Sequence, residues 1–161
     1  MKRIFSAFWG TMLVIVIASG VAFAAKPQAV TFKVGKMYYK SDGSTVGMDV
    51  ASFIANGSVY VPVRYLAMSL GISKSNISYD SANNTVTLID EGKELVLSTI
   101  SNNIVVDGIS QVSPNRPIVK AGKLYLPARI VAETYGYKIK YNNATQTVLI
   151  TVASTDTIIT E

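Results

Sequence analysis

The 161-residue chain contains no cysteine and no histidine. Those two absences remove imidazole- or thiolate-ligated copper and zinc, iron–sulfur clusters, and Ser–His or Cys–His nucleophilic catalysis in one step. They also remove disulfides, so stability rests on packing and strand pairing alone. Charge is sparse as well. Lysine and arginine number 15 against 10 acids, a net of +5. With no basic stripe, that balance excludes a nucleic-acid surface. The one tryptophan, Trp9, lies in the first ten residues.

The N-terminus has the pattern of a secretory signal. Lys2 and Arg3 precede an apolar run from Ile4 to Val21, and Ala22-Phe23-Ala24 supplies a small-residue cleavage pattern. The expectation is a signal peptide over residues 1–24 and an exported protein; the rival is an uncleaved anchor, since the run approaches bilayer-spanning length. The interrupting Ser6, Gly10, Thr11, Ser19 and Gly20 favour cleavage, after Ala24 or Ala25. Without cysteine, no lipid-modified thiol anchors the mature chain. Its Lys plus Arg falls to 13 (15 − 2) against 10 acids, a net of +3. The remaining residues suffice for one domain with a real core.

The mature chain is organised around a stretch that occurs twice. Gly57 to Gly71 reads GSVYVPVRYLAMSLG and Gly122 to Gly136 reads GKLYLPARIVAETYG. Gly57/Gly122, Tyr60/Tyr125, Pro62/Pro127, Arg64/Arg129, Ala67/Ala132 and Gly71/Gly136 match at one offset, 65 (122 − 57). Each reads as a half-buried strand running into a short helix. The proline suits a helix start. Val63, Leu66, Ala67 and Leu70 then form an apolar stripe, repeated by Ala128, Val131, Ala132 and Tyr135. The closing glycine suits the left-handed position after a helix.

Around these units the pattern is extended. Thr31 to Lys40 reads as one strand, Asp42-Gly43 as a hairpin turn, and Val46 to Ile54 as weakly extended. Ile77 to Asp80, Thr85 to Ile89 and Glu94 to Thr99 read as strands separated by turns. Asp107-Gly108 answers Asp42-Gly43, and Pro117 to Val119 answers Ser52 to Ile54. Lys138 to Tyr141 and Thr147 to Val152 are the last strands. They match the first copy at an offset of 62 (141 − 79), leaving three extra residues in the first copy near Ser73 to Asn76. The expected organisation is a leader over 25–30, a domain over 31–152 and a polar tail over 153–161. Within the domain, repeat one covers about 31–90 and repeat two about 94–152. The expected fold class is α+β and β-rich: two repeated units of antiparallel strands, each with one short helix packed on a curled sheet.

The paired motifs VYVPVRYLAMSLG…ISYDSANNTVTL and LYLPARIVAETYG…IKYNNATQTVLI resemble the copper amine oxidase N-terminal-like, or stalk, domain. The resemblance covers about Val34 to Val152, with both halves in the right order. Tyr79 and Tyr141 stand where that family commonly shows tryptophan. The resemblance implies an antiparallel sheet curled around helix, and an accessory module remote from the oxidase's copper and quinone. It also implies secreted or cell-envelope proteins of Gram-positive bacteria. It carries no catalytic residues and no cofactor, and the missing histidine excludes amine oxidase activity here.

The candidate ligand or anchor residues are Arg64, Arg129, Tyr60, Tyr125, Tyr79 and Tyr141. The two arginines read as hands for an anionic polymer or as guanidinium forks tethering loops; the structural reading is preferred. The tyrosines read as core or sheet-rim residues rather than a sugar platform. The aspartates fall mostly in turns, where they cap backbone, so a hydrolase using two carboxylates is disfavoured. No calcium-loop pattern is present. The expectation is therefore a secreted, non-enzymatic structural or adhesive module at the cell envelope. The alternative is a carbohydrate-binding module for wall polymer. Expected partners are a cell-wall polymer or another envelope protein, without nucleic acid and without a membrane span in the mature form. Exposed hairpin edges leave self-association open.

Overall fold

The computed structural model describes residues 26–153. The expected signal peptide, Ala25 and the tail from residue 154 onward lie outside the described residues. The chain begins with β1 (Ala29–Lys33), β2 (Tyr38–Ser41), β3 (Ser44–Gly47), β4 (Phe53–Ala55) and β5 (Ser58–Pro62), which runs into α1 (Val63–Ser69). A 3-10 turn at Lys74–Asn76 precedes β6 (Ile77–Asp80), β7 (Thr85–Asp90), β8 (Lys93–Ser98), β9 (Asn103–Val106) and β10 (Ile109–Val112). Then come β11 (Ile118–Lys120), β12 (Lys123–Pro127), α2 (Ala128–Thr134), β13 (Tyr137–Asn142) and β14 (Thr147–Val152). The structure is β-rich, with antiparallel sheets and two short helices, as the sequence reading expects.

Three local expectations change. The run from Thr31 to Lys40 is two strands, because Gly35 turns the chain at φ +77° and the Lys36 amide donates back to the Lys33 carbonyl. Val46 to Ile54 is strand only at its ends. The segment expected as an exposed leader already contains the start of β1, and Val30 is fully buried there. Burying that valine outweighs leaving it in water by about 1.5–3 kcal/mol.

Two-residue hairpin turns account for much of the strand order. In the turns before β3, β5, β8, β10 and β12, both central residues have positive φ. Such turns match the natural twist of paired strands. Two of them, Asn56-Gly57 and Ala121-Gly122, were not anticipated from sequence.

The strands form three antiparallel sheets, in the orders β13-β14-β1-β2-β3, β10-β9-β8-β7-β6 and β11-β12-β5-β4. The second sheet is continuous in sequence and crosses the interval between the two motif copies. The first joins the two ends of the described residues: Ala29 pairs with Thr151 and Lys33 with Thr147 along β1 and β14. The third is centred on β5 and β12, where Tyr125 faces Pro62, Leu126 faces Val61 and Pro127 faces Tyr60. Each proline ends its strand because it has no N–H for the ladder, and the helix follows at once. Neither helix start has a side-chain cap. Seven-residue helices of this kind are marginal alone, so packing holds them. Leu66, Ala67 and Leu70 of the α1 region, and Ala128, Val131 and Ala132 of α2, are completely buried. They join Phe32 and Ile150 from one five-stranded sheet, and Leu88, Leu95 and Leu97 from the other, in one core.

Candidate functional site

Arg64 and Arg129 occupy the second position of α1 and α2, where both side chains reach the surface. Their surroundings differ. The Arg64 guanidinium lies 3.9 Å from an Asp49 carboxylate oxygen and 5.5 Å from the centre of the Tyr65 ring. The same carboxylate accepts a 2.8 Å hydrogen bond from Lys123 Nζ, and the Asp49 amide donates to the Tyr65 hydroxyl at 3.0 Å. The Lys123 hydrogen bond, aided by Tyr65 and Arg64, holds the Asp49 carboxyl below the usual carboxylate range. These groups close over a hollow of about 80 Å3. Arg129 pairs with Glu133, one turn along at 3.1 Å.

The four candidate tyrosines also separate. Tyr60 and Tyr125 are buried and pack against Phe53, at 5.5 Å stacked and 4.9 Å edge-on. Lys120 Nζ lies 4.5 Å from the Phe53 ring centre. The Tyr60 hydroxyl donates to the Arg116 carbonyl at 3.0 Å, and burial raises its pKa. Both lie in the buried interior around Phe53. Tyr79 stands on the edge strand β6 and is 54% exposed. Tyr141, on β13, is half-buried and lines a cleft.

That cleft, about 240 Å3 in volume, is the place where two sequence candidates meet. Arg129, Tyr141, Asn143 and Ser58 give it polar groups, while Ile139 and Val148 give it apolar wall. The Ser58 hydroxyl oxygen accepts from Asn115 Nδ2 at 2.9 Å, which leaves its own proton to donate. A shallower depression of about 690 Å3 adjoins it, sharing Tyr141 and Asn143 and adding Lys140, Asn142, Thr145 and Thr31. Sequence reasoning found Arg129 and Tyr141. It missed Ser58 and Asn143, whose only signal was a turn-like composition, and it missed the Asp49–Lys123 pair.

The turn aspartates are engaged with backbone. Asp42 accepts from the Gln28 and Ala29 amides, Asp107 from the Glu94 amide, and Asp80 from the Ala82 and Asn83 amides. The Asn83 side chain and amide bonds hold the Asp80 carboxyl below its ordinary range. Asp90 and Glu91 share Lys26 Nζ, at 2.6 and 2.9 Å. Among the described residues no group of three or more acids, histidines or cysteines is placed to hold a metal ion.

The family model of the copper amine oxidase N-terminal domain matches residues 40–150, well over half of the chain. The chain belongs to that family. No curated protein matches it, and no solved structure does. In copper amine oxidases the isolated N-terminal domain is non-catalytic. The copper in the family's name finds no imidazole in this member, which has no histidine, and the carboxylates of Asp42, Asp80 and Asp107 are spent on backbone amides. The residues present do not fit a copper site. No helix among the described residues is long and apolar enough to cross a membrane.

Proposed function

We propose that this chain is a secreted, non-catalytic structural and adhesive module of the stalk type, acting at the bacterial cell envelope. The observation that carries this reading is where its polar side chains go. The hydroxyls of Tyr60, Tyr135 and Tyr137 donate to backbone carbonyls, at 3.0, 2.8 and 3.2 Å. The carboxylates of Asp42, Asp107 and Asp80 accept from backbone amides. Polar chemistry of this kind braces a scaffold; catalysis needs groups left free to act.

The module is read as a duplicated unit. The motif copies support this, as does the register in which each motif tyrosine faces the other motif's proline. In this reading each five-stranded sheet combines two strands that follow one helix with three that precede the other.

A second reading, attachment to a wall glycan, is favoured by the Arg129–Tyr141 cleft. Co-sedimentation of the mature chain, residues 25–161, with isolated wall sacculi across a salt series tests attachment. Saturable binding that survives moderate salt supports the adhesive role. Binding abolished by salt reduces it to generic attraction of a weakly basic protein to an anionic wall. No binding at any salt would sink the wall-attachment part and leave a protein-contact scaffold.

A further inference from the structure

We propose that the Arg129–Tyr141 cleft binds one ring of a neutral oligosaccharide, and that the related position around Arg64 cannot. The inference rests on the glycan reading above and adds which site, which chemistry and why only one.

The asymmetry has a physical cause. At the offset of 65, Arg64 corresponds to Arg129, and three of its neighbours change. Lys123 becomes Ser58 (123 − 65), Asp49 becomes Pro114 (49 + 65), and Tyr65 becomes Ile130 (65 + 65). On the Arg64 side, Lys123, Asp49 and Tyr65 are the groups that bond across the surface and close it. On the Arg129 side a short hydroxyl, a proline and an aliphatic chain stand in their places. None of these can form the ion pair. Pro114 and Ile130 line a small hollow of about 90 Å3, and Ser58, which stands where the other side has the long Lys123, also lines the separate cleft of about 240 Å3 between β5, α2 and β13. The tyrosines follow suit. Tyr79 stands out on an edge strand, while Tyr141 is half-buried in the cleft wall.

The lining selects the ligand class. Among the described residues Arg129 is the only charged group in the cleft wall, and Glu133, outside the wall, balances it at 3.1 Å. A guanidinium has five N–H donors, so several remain. Asn143 both donates and accepts, and Ser58 has a proton to give. The Tyr141 hydroxyl and the Asn143 amide group make no side-chain hydrogen bond among the described residues, so both are available to a ligand. Sugar hydroxyls donate and accept together, and a pyranose has an apolar C–H face. A charge-balanced set of donors and acceptors beside a tyrosine ring and an Ile139–Val148 wall complements both properties. An anionic polymer would find the one cationic group already balanced by Glu133. The adjoining depression, lined by threonine and asparagine with Lys140, gives neighbouring rings a polar path along the β13–β14 turn.

The test is a titration of the 15N-labelled mature chain with chitotetraose, a neutral amino-sugar oligomer, and in parallel with a glycerol phosphate oligomer. The expected result is saturable shifts at Arg129 Nε, the Asn143 side-chain amide and the Tyr141 amide with chitotetraose. Tyr141→Ala should weaken binding about tenfold or more, the loss of one ring contact; Tyr79→Ala should leave it unchanged. Because Tyr141 also touches the core, the exposed Asn143→Ala provides a second variant, expected to weaken binding with an unchanged melting curve. The double variant Ser58→Lys/Pro114→Asp rebuilds the ion pair of the other side and should abolish binding while the fold persists. Shifts confined to the Arg64–Tyr79 face, or saturation by glycerol phosphate alone, would overturn the proposal. Absence of cleft shifts while sacculi still sediment would overturn it and leave the adhesive reading standing. Cleft binding without sedimentation would do the reverse.

Discussion

Asp49 and Lys123 lie 74 positions apart in the sequence and 2.8 Å apart in the structure. Their ion pair ties the segment between β3 and β4 to the start of β12. Because folding lowers the Asp49 pKa, first through Lys123, its contribution is fully present above the unfolded carboxylate range, near pH 4. It is lost as pH falls through the lowered folded value. Melting temperatures of the wild type and Asp49→Asn, measured from about pH 6 to about pH 2, should converge at the acid end and separate modestly above pH 4. Solvent screens the pair, so curves that remain parallel throughout would show that it carries no weight.

Ala121 holds φ +49° in the turn between β11 and β12, where the turn between β4 and β5 has Asn56 at +50°. A left-handed alanine costs about 1–2 kcal/mol, a cost asparagine and glycine largely escape. Ala121→Asn should therefore stabilise the protein by about 0.5–1 kcal/mol in urea denaturation with an unchanged m-value. A neutral or negative result would mean the turn relaxes out of that conformation.

The Tyr135 hydroxyl is buried and donates to the Leu88 carbonyl at 2.8 Å. Tyr135→Phe leaves that carbonyl without this donor and should cost about 1–2 kcal/mol. Burial, followed by the charges of Asp90, Asp107 and Glu94, raises the phenol pKa strongly. A raised acid pKa means the folded state keeps its proton while the unfolded state releases it. Stability from this group is thus complete below about pH 10 and declines as pH rises further. Ultraviolet titration should show Tyr135 ionising only with alkaline unfolding, and the Phe variant should lose part of that alkaline sensitivity.

The pairing of β1 with β14 makes the cut between β7 and β8 dispensable. Linking Ala153 to Lys26 with a short loop and opening the chain at Glu91-Gly92 leaves six registered pairs between β7 and β8 in place. This permutant should fold cooperatively with a loss of no more than about 2 kcal/mol. A molten product by near-ultraviolet circular dichroism would mean that the Glu91-Gly92 turn is required to set the register.

What could be read from the sequence was local or repeated. The strand-to-helix units around Tyr60 and Tyr125 were legible because spacing, proline and closing glycine agree in both. The Asp42-Gly43 and Asp107-Gly108 turns carry a strong local signal; Asn56-Gly57 carries the same signal, while Ala121-Gly122 carries almost none. The single strand expected over Thr31 to Lys40 failed at Gly35, where alternation of side chains continued past a backbone reversal. Sheet order was not legible, since nothing near Ala29 indicates that its partner is Thr151. The same holds for the site. Arg129 and Tyr141 are identifiable as residues, but the cleft has room because the short Ser58 stands where the other side has Lys123, and space is a property of non-local neighbours.

The Ala29–Thr151 end of the β1–β14 ladder has a mechanical meaning. Tension applied through the residues before Ala29 and after Val152 enters at one end of two antiparallel strands. Such a load opens their hydrogen bonds one after another, like a zipper, instead of shearing them together. Under such a load the pull passes beside the fold, and its first yielding point is its own doorway.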